Sequence, residues 1–418
     1  MNIALITNRY PGEASVIEEH IAGVIRHAPG RVWRIDVNDM HRIPLWIFDA
    51  VIIHYGVTIR KGYTLNPQSR ERIARFRGPK ALFIQDEYRW INATVDAMVE
   101  LGIDILFTVV PQGDILKVYR DPRVATVIKR ETYTGYVNPD YVARAAPPTD
   151  ARPLDIGYRG RPVPFWLGSL GQEKTWIVDR TLRDASRHGL AVDLSYDEKS
   201  RIYGDAWPTF LESCKAVLGS ESGASVCDFT DEIRLCVDAH LAREPGDTYE
   251  EVEAACFPGM DGKVVIATIS PRMFEAAALR TLMILYEGEY AGVFTAGRHF
   301  VALKKDHSNF DDVAHVLRTP ALRDPIIRAA YDEIARNRAY WPEALAGIMA
   351  EAFDAYRHSE RASHGWRMSR PAWLVDAALA TKARALRMAD RLRPHFTLAP
   401  GRVDQVRRVL GRSRDTRS

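Results

Sequence analysis

The stretch VVIATISPRMFEAAALRTLMILYEGEYAGVF (residues 264–294) joins two apolar runs through a polar turn and a short alanine-rich segment. Val264–Ile269 and Leu282–Tyr286 have the length of buried strands, and Arg272–Arg280 between them that of a short helix. A strand, a helix and a second strand in so few residues is the unit of a parallel sheet covered by helices. One acid, Glu275, follows the turn at Ser270–Arg272, in what reads as the first turn of the helix. A carboxylate there is either a solvated acid favoured by the helix dipole or a ligand group facing a cleft.

Working outward, the same alternation fills most of the chain. Strand-like runs occur at Ile3–Thr7, Val32–Val37, Asp49–His54, Lys80–Gln85, Ile103–Val109 and Val124–Ile128, with a helical pattern at Ala14–Ile25. RAAPPTDARPLD (144–155) interrupts with three prolines among polar residues and reads as a linker. A second series follows: strands at Leu154–Tyr158, Val192–Ser195, Ala216–Gly219, Val264–Ile269, Leu282–Leu285 and His299–Leu303. Helical patterns cover Lys174–His188, Trp207–Lys215 and the partly acidic stretch 228–260, and helices dominate towards the C-terminus. The expected fold is α/β, two Rossmann-like doubly wound domains facing across a cleft, with C-terminal helices. The expected boundaries are 1–146, 147–340, a crossing helix in 341–365, and a basic tail from 366 to 418.

With 418 residues, 46% of them hydrophobic and 27% charged, the chain has the make-up of a globular protein. No apolar run approaches the length of a membrane span, and the start MNIALITNRYPGE does not read as a signal peptide. The net charge of +3 hides a division. Residues 366–418 hold 13 Lys/Arg against 4 Asp/Glu, so the tail carries +9 and the rest −6. No nucleic-acid partner is therefore expected for the body. In the tail Leu374, Val375, Ala378, Leu379, Ala385, Leu386, Ala389 and Leu392 share one helical arc opposite Arg384, Arg387 and Arg391. Such a helix suits an anionic membrane surface, its own protein or an acidic partner, the remaining alternative being a disordered basic end. Cys214, Cys227, Cys236 and Cys256 lack metal-ligand spacing and read as buried or incidental thiols of a reducing cytoplasm.

SPRMFEAAALRTLMILYEGEY (270–290) and HFVALKKDHSNFDDV (299–313) resemble the donor-binding signature of the group 1, family 4-like bacterial glycosyltransferases of GT-B fold. DIGYRGR (155–161), GQEK (171–174), IYGDAWPTFLESCKAVLGSESGASVCD (202–228) and FIQDEYR (83–89) resemble a polysaccharide and cell-envelope subgroup. The resemblance implies a C-terminal domain holding a nucleotide-diphosphate sugar and an N-terminal domain holding a saccharide or lipid-linked acceptor. It also implies a helix near Pro342–Tyr356 bracing the first domain and a metal-independent reaction with no cofactor beyond the donor. It favours retention, with the stereochemistry left open by position 267, and the basic tail would place a cytoplasmic protein against the inner face of the membrane. Many members carry two glutamates eight residues apart. The second matches Glu275, while the first falls on Ala267.

Within that frame Glu275 is expected to accept both ribose hydroxyls. Ser270, Arg272 and the helix start are expected at the diphosphate. Arg159, Arg161 and Lys174 flank the first strand–loop–helix of the second domain, where Gly157, Gly160, Gly168 and Gly171 would let a ligand approach the backbone. GSESGASVCD (219–228), with Ser222, offers N–H groups to a base or phosphate. His54 ends one strand-like run and Asp86 follows another, and they are the candidates for deprotonating an acceptor hydroxyl. Each residue also has an ordinary reading: a loop cation, a sheet-end histidine, a capping acid. A sugar-nucleotide epimerase or hydrolase, or a non-catalytic nucleotide-sugar binder, would use the same fold.

Overall fold

A computed structural model describes residues 1–8, 15–362 and 371–381. Its first half is built on β1 (Asn2–Thr7), α1 (Ser15–His27), β2 (Arg31–Asp36), β3 (Ala50–Ile53), α2 (Pro67–Ala74), β4 (Lys80–Phe83), α3 (Ile91–Leu101), β5 (Ile105–Thr108), α4 (Ile115–Val118), β6 (Ile128–Glu131) and α5 (Pro139–Val142). The strands form one sheet, β2-β1-β3-β4-β5-β6, parallel throughout. Both faces are covered. Ile3, Leu5, Ala50, Ile52, Ala81 and Phe83 enter one core, and the alternate residues Ala4, Ile6, Val51, Ile53 and Leu82 are equally buried.

The second half adds β7 (Leu154–Arg159), α6 (Ser169–His188), β8 (Val192–Ser195), α7 (Ala206–Ser213), β9 (Cys214–Gly219), β10 (Ser222–Ala224), α8 (Glu232–Arg243) and α9 (Tyr249–Cys256). It continues with β11 (Ile266–Thr268), α10 (Pro271–Ala278), β12 (Leu282–Tyr286), β13 (Val301–Leu303), α11 (Phe310–Arg318), α12 (Pro320–Ala329) and α13 (Ala344–Arg357). Its five-stranded sheet runs β13-β12-β9-β7-β8, again parallel. Counted along the chain this order is 2-1-3-4-5, and the first sheet follows the same order with a sixth strand. Met283 and Leu285 face one core, while Leu282, Ile284 and Tyr286 face the other, so β12 is a central strand buried on both sides. Helix α13 returns to the first half, where Leu345, Met349, Ala352, Phe353 and Tyr356 join the core of Ile3, Leu5 and Ile52.

Three expectations need correction here. Val264–Ile269 is not a strand of the main sheet. Only Ile266–Thr268 is extended, and it pairs antiparallel with Ser222–Ala224 in a separate two-stranded ribbon. The slot beside β9 belongs to β12, and Gly223 makes the ribbon feasible: its φ is 114°, and a Cβ there would meet Ile266 O at 1.8 Å. Val124–Ile128 is displaced as well. Asp121 caps a 3-10 turn at Pro122–Val124, and the strand starts only at Ile128. Finally, Cys236 and Cys256 are not isolated thiols. They form a disulfide joining α8 to α9, with Cα atoms 5.6 Å apart, so only Cys214 and Cys227 are free. A helical hairpin brings together two cysteines that lie far apart in sequence.

A separate unit begins at Ser369, of which residues 372–381 form a helix with Trp373 and Leu374 exposed. The tail residues Lys382 to Leu392, including Arg384, Arg387 and Arg391, lie outside the described residues. Among the described residues no helix is long and apolar enough to cross a membrane.

Candidate functional site

In both sheets the strand order reverses between the first and third strands, the position at which open α/β sheets bind ligands beyond their C-terminal strand ends. In the second half these ends are Arg159 and Gly219. Arg161 lies just beyond β7, and Lys174 comes from the second turn of α6. Arg272, the second residue of α10, bonds the carbonyl of Arg159 through Nη1. The three cations act on one another: burial first, then Arg161 and Arg272, lower the Lys174 ammonium to about 8. The one carboxylate acting against this is Asp86, from the loop after β4 of the first half. Neither Arg161 nor Lys174 has an ion-pair or hydrogen-bond partner among the described residues. Two cations held near each other and left without an ion-pair partner make a site for an anion.

Ser270 sits at the N-cap of α10 with no side-chain capping bond, leaving its hydroxyl and the helix-start N–H groups without a side-chain acceptor. Because the helix begins at Pro271, Glu275 stands in its second turn rather than the first. The indole Nε1 of Trp207 donates to Glu275 Oε2 at 2.6 Å. Burial raises the Glu275 carboxyl, a trend the Trp207 bond and Arg272 oppose and Glu19 of α1 reinforces. Trp207 and Glu19 were not legible as site residues: Trp207 reads as a core aromatic on a short helix, and Glu19 as one acid on an amphipathic one.

Other candidates have different employment. Arg159 is engaged by the fold, donating to Asp193 Oδ2 at 2.7 Å and to the carbonyls of Asp193 and Ser200, both at 3.0 Å. Ser222 belongs to the ribbon, where its carbonyl accepts from Thr268 Oγ1. The glycines make room for protein rather than ligand. Gly168, at φ 81°, lies against Ser225 and Asp261, whose side chains accept from the first N–H groups of α6, Ser169 and Leu170. That helix start already has its anion.

In the first half His54 is fully buried behind β3. The N–H of Gly56 donates to its Nδ1 at 3.1 Å, which leaves the proton on Nε2 to be shared with His20 Nδ1 at 3.0 Å. Burial, helped by His20 and Arg34, drives its pKa down to about 2. It has no lone pair to offer a substrate, so the proton-acceptor role expected of it is not supported. Asp86 is exposed, with φ 57°, and the Tyr88 hydroxyl lies within bonding reach of its carboxylate. Among the described residues no group of His, Cys, Asp or Glu could hold a metal ion.

No protein-family model and no curated protein matches this sequence. Among solved structures the chain is similar to an alpha-glucosyltransferase in complex with UDP and a 13-mer DNA, with 10% identity, 85% of this chain and 99% of that chain covered, and a TM-score of 0.48. It is similar to Anabaena HepE in complex with UDP and glucose, with 10% identity, 85% and 100% covered, and a TM-score of 0.46. TarM matches at 13% identity over 73% of this chain and only 54% of its own length, with a TM-score of 0.39.

Proposed function

We propose that the protein is a glycosyltransferase that binds a nucleotide-diphosphate sugar against its second sheet and transfers the sugar to a saccharide, lipid-linked or other glycoside acceptor. The observation that carries the reading is the convergence of Arg161, Lys174 and Arg272 beyond the C-terminal edge of β7, with Asp86 the one carboxylate acting on Lys174 and Glu275 facing Arg272. A departing nucleoside diphosphate carries its developing charge on the phosphates, and fixed cations stabilise it without a metal. Ser270 and the start of α10 supply neutral donors to the same anion. Glu275, with Oε2 held by Trp207, keeps Oε1 for a ribose hydroxyl. Asp86 is the carboxylate we assign to the acceptor hydroxyl, in preference to His54. The resemblance of residues 270–290 and 299–313 to the donor-binding signature of group 1 glycosyltransferases supports this assignment of halves.

The test is thermal unfolding of the protein with UDP-, GDP- and dTDP-sugars, followed by a search for transfer or slow hydrolysis. One nucleotide should protect, and Glu275→Ala should lose that protection while staying folded. Protection by none of them would sink the reading. A second reading, sugar-nucleotide hydrolysis or epimerisation, draws on Glu19, which lies close enough to act on the Glu275 carboxyl. Turnover of the donor with no acceptor present would favour it.

A further inference from the structure

Of the seven non-glycine residues with positive φ among the described residues, three lie on one seam: Asp86 (57°), Trp90 (56°) and Asp231 (84°). Left-handed backbone at such residues survives only where surrounding contacts over-determine it, and it concentrates at working parts of proteins. Here the contacts cross between the halves. The N–H of Asp228 donates to Tyr88 O at 2.8 Å, that of Asn92 to Phe229 O at 3.0 Å, and Arg89 and Asp228 pair as an isolated parallel bridge. The Arg89 guanidinium grips both oxygens of Asp231, the second at 3.2 Å, and lies 3.3 Å above the Trp90 ring. Arg120 reaches over Phe229 at 4.4 Å.

The second-half side of the seam is itself braced. The Asp228 carboxylate accepts from the N–H groups of Asp231 at 2.7 Å and Arg234 at 2.9 Å, and Arg234 also grips Asp231. Burial alone would raise the Asp231 carboxyl, but the bonds from Arg89 and Arg234 hold it near 2. The segment belongs to the insertion between β10 and β11 that carries α8, α9 and their disulfide. A stapled two-helix insertion thus rests one loop on the first half.

We propose that Arg89 and Asp231 are a positioning pair, an interdomain latch that holds the 84–90 loop against the second half and releases when the two halves part. The loop also carries Asp86, the carboxylate acting on Lys174, so the latch fixes how far that group stands from the cations. This consequence rests on the donor reading; the latch itself does not.

The experiment measures the separation of the halves. Spin labels on cysteines introduced at the exposed positions Arg75 and Lys199 report one distance, since the unpaired native thiols are buried. The wild-type chain should give a single narrow distribution. Arg89→Gln and Asp231→Asn should each add a longer population, and Arg89→Lys, which keeps the charge but loses the bidentate grip, should fall between. Superimposable distributions in folded variants would overturn the proposal. Should Arg89→Gln fail to fold, Asp231→Asn decides, because asparagine keeps the size and tolerates the left-handed backbone. Nucleoside diphosphate binding is measured separately on the wild type, and its absence would remove the donor reading without touching the distance result.

Discussion

The two sheets share one strand order but treat the polar groups at their C-terminal edges in opposite ways. In the first, the buried polar groups behind β3 and β4 satisfy one another. His54 is closed off by Gly56 and His20, and Glu87 accepts from Thr108 Oγ1 at 2.6 Å, Val109 N at 3.0 Å and the Tyr119 hydroxyl. In the second, Arg161 and Lys174 are brought together and left without partners among the described residues. Topology alone does not say which edge takes a charged ligand. Unsatisfied charge does, because a protein retains a cluster of like charges only where something else neutralises it.

The largest expected effect breaks the open edge. Arg161→Ala with Lys174→Ala should weaken nucleoside diphosphate binding by roughly 100-fold or more, since each charged hydrogen bond contributes about 1.5–3 kcal/mol. Calorimetric titration checks it. The closed edge responds to pH instead. Burial raises Glu87 from 4.5 to about 7, so its contribution is fully present below pH 4.5 and is lost as pH rises through 7. Denaturant melts from pH 5 to 9 should show a loss of up to about 3 kcal/mol that is absent in Glu87→Gln. The paired histidines act on the acid side: burial lowers His20 to about 4, so stability is full above 6.5 and falls as pH drops towards 4.

Arg159→Ala sharpens the comparison from within the second edge. This arginine is two residues from Arg161 but bonded throughout, so its loss should reduce stability by about 1–3 kcal/mol and leave diphosphate affinity far less changed than the double variant does. The smallest effect concerns Lys174 alone. With its ammonium near 8, diphosphate affinity should fall as pH rises above 8, by at most about tenfold per pH unit, and Lys174→Arg should flatten that slope.

Much of the strand pattern was legible because central parallel strands are apolar on both faces, as Ala50–Ile53 and Leu282–Tyr286 are. Ile266–Thr268 was misread for the same reason: an apolar run does not say which strand it pairs with, and here a glycine opposite made a ribbon. Lys174 and Arg161 could be singled out from charge beside a strand–loop–helix. Arg159 has the same chemistry and lies two residues from Arg161, and only its bonds to Asp193 and Ser200 separate it from them. The Trp207–Glu275 bond, the Arg89–Asp231 pair and the Cys236–Cys256 disulfide join residues 68, 142 and 20 positions apart, respectively, so no local pattern announces them.

The central claim is that the unpaired cations of the second half hold a diphosphate, and calorimetry of wild type against Arg161→Ala/Lys174→Ala tests it most directly. The account predicts that the wild type binds the nucleoside diphosphate far more tightly than the bare nucleoside, and that the double variant loses this difference. Equal affinities for both ligands in the wild type, or an unchanged difference in the variant, would contradict it.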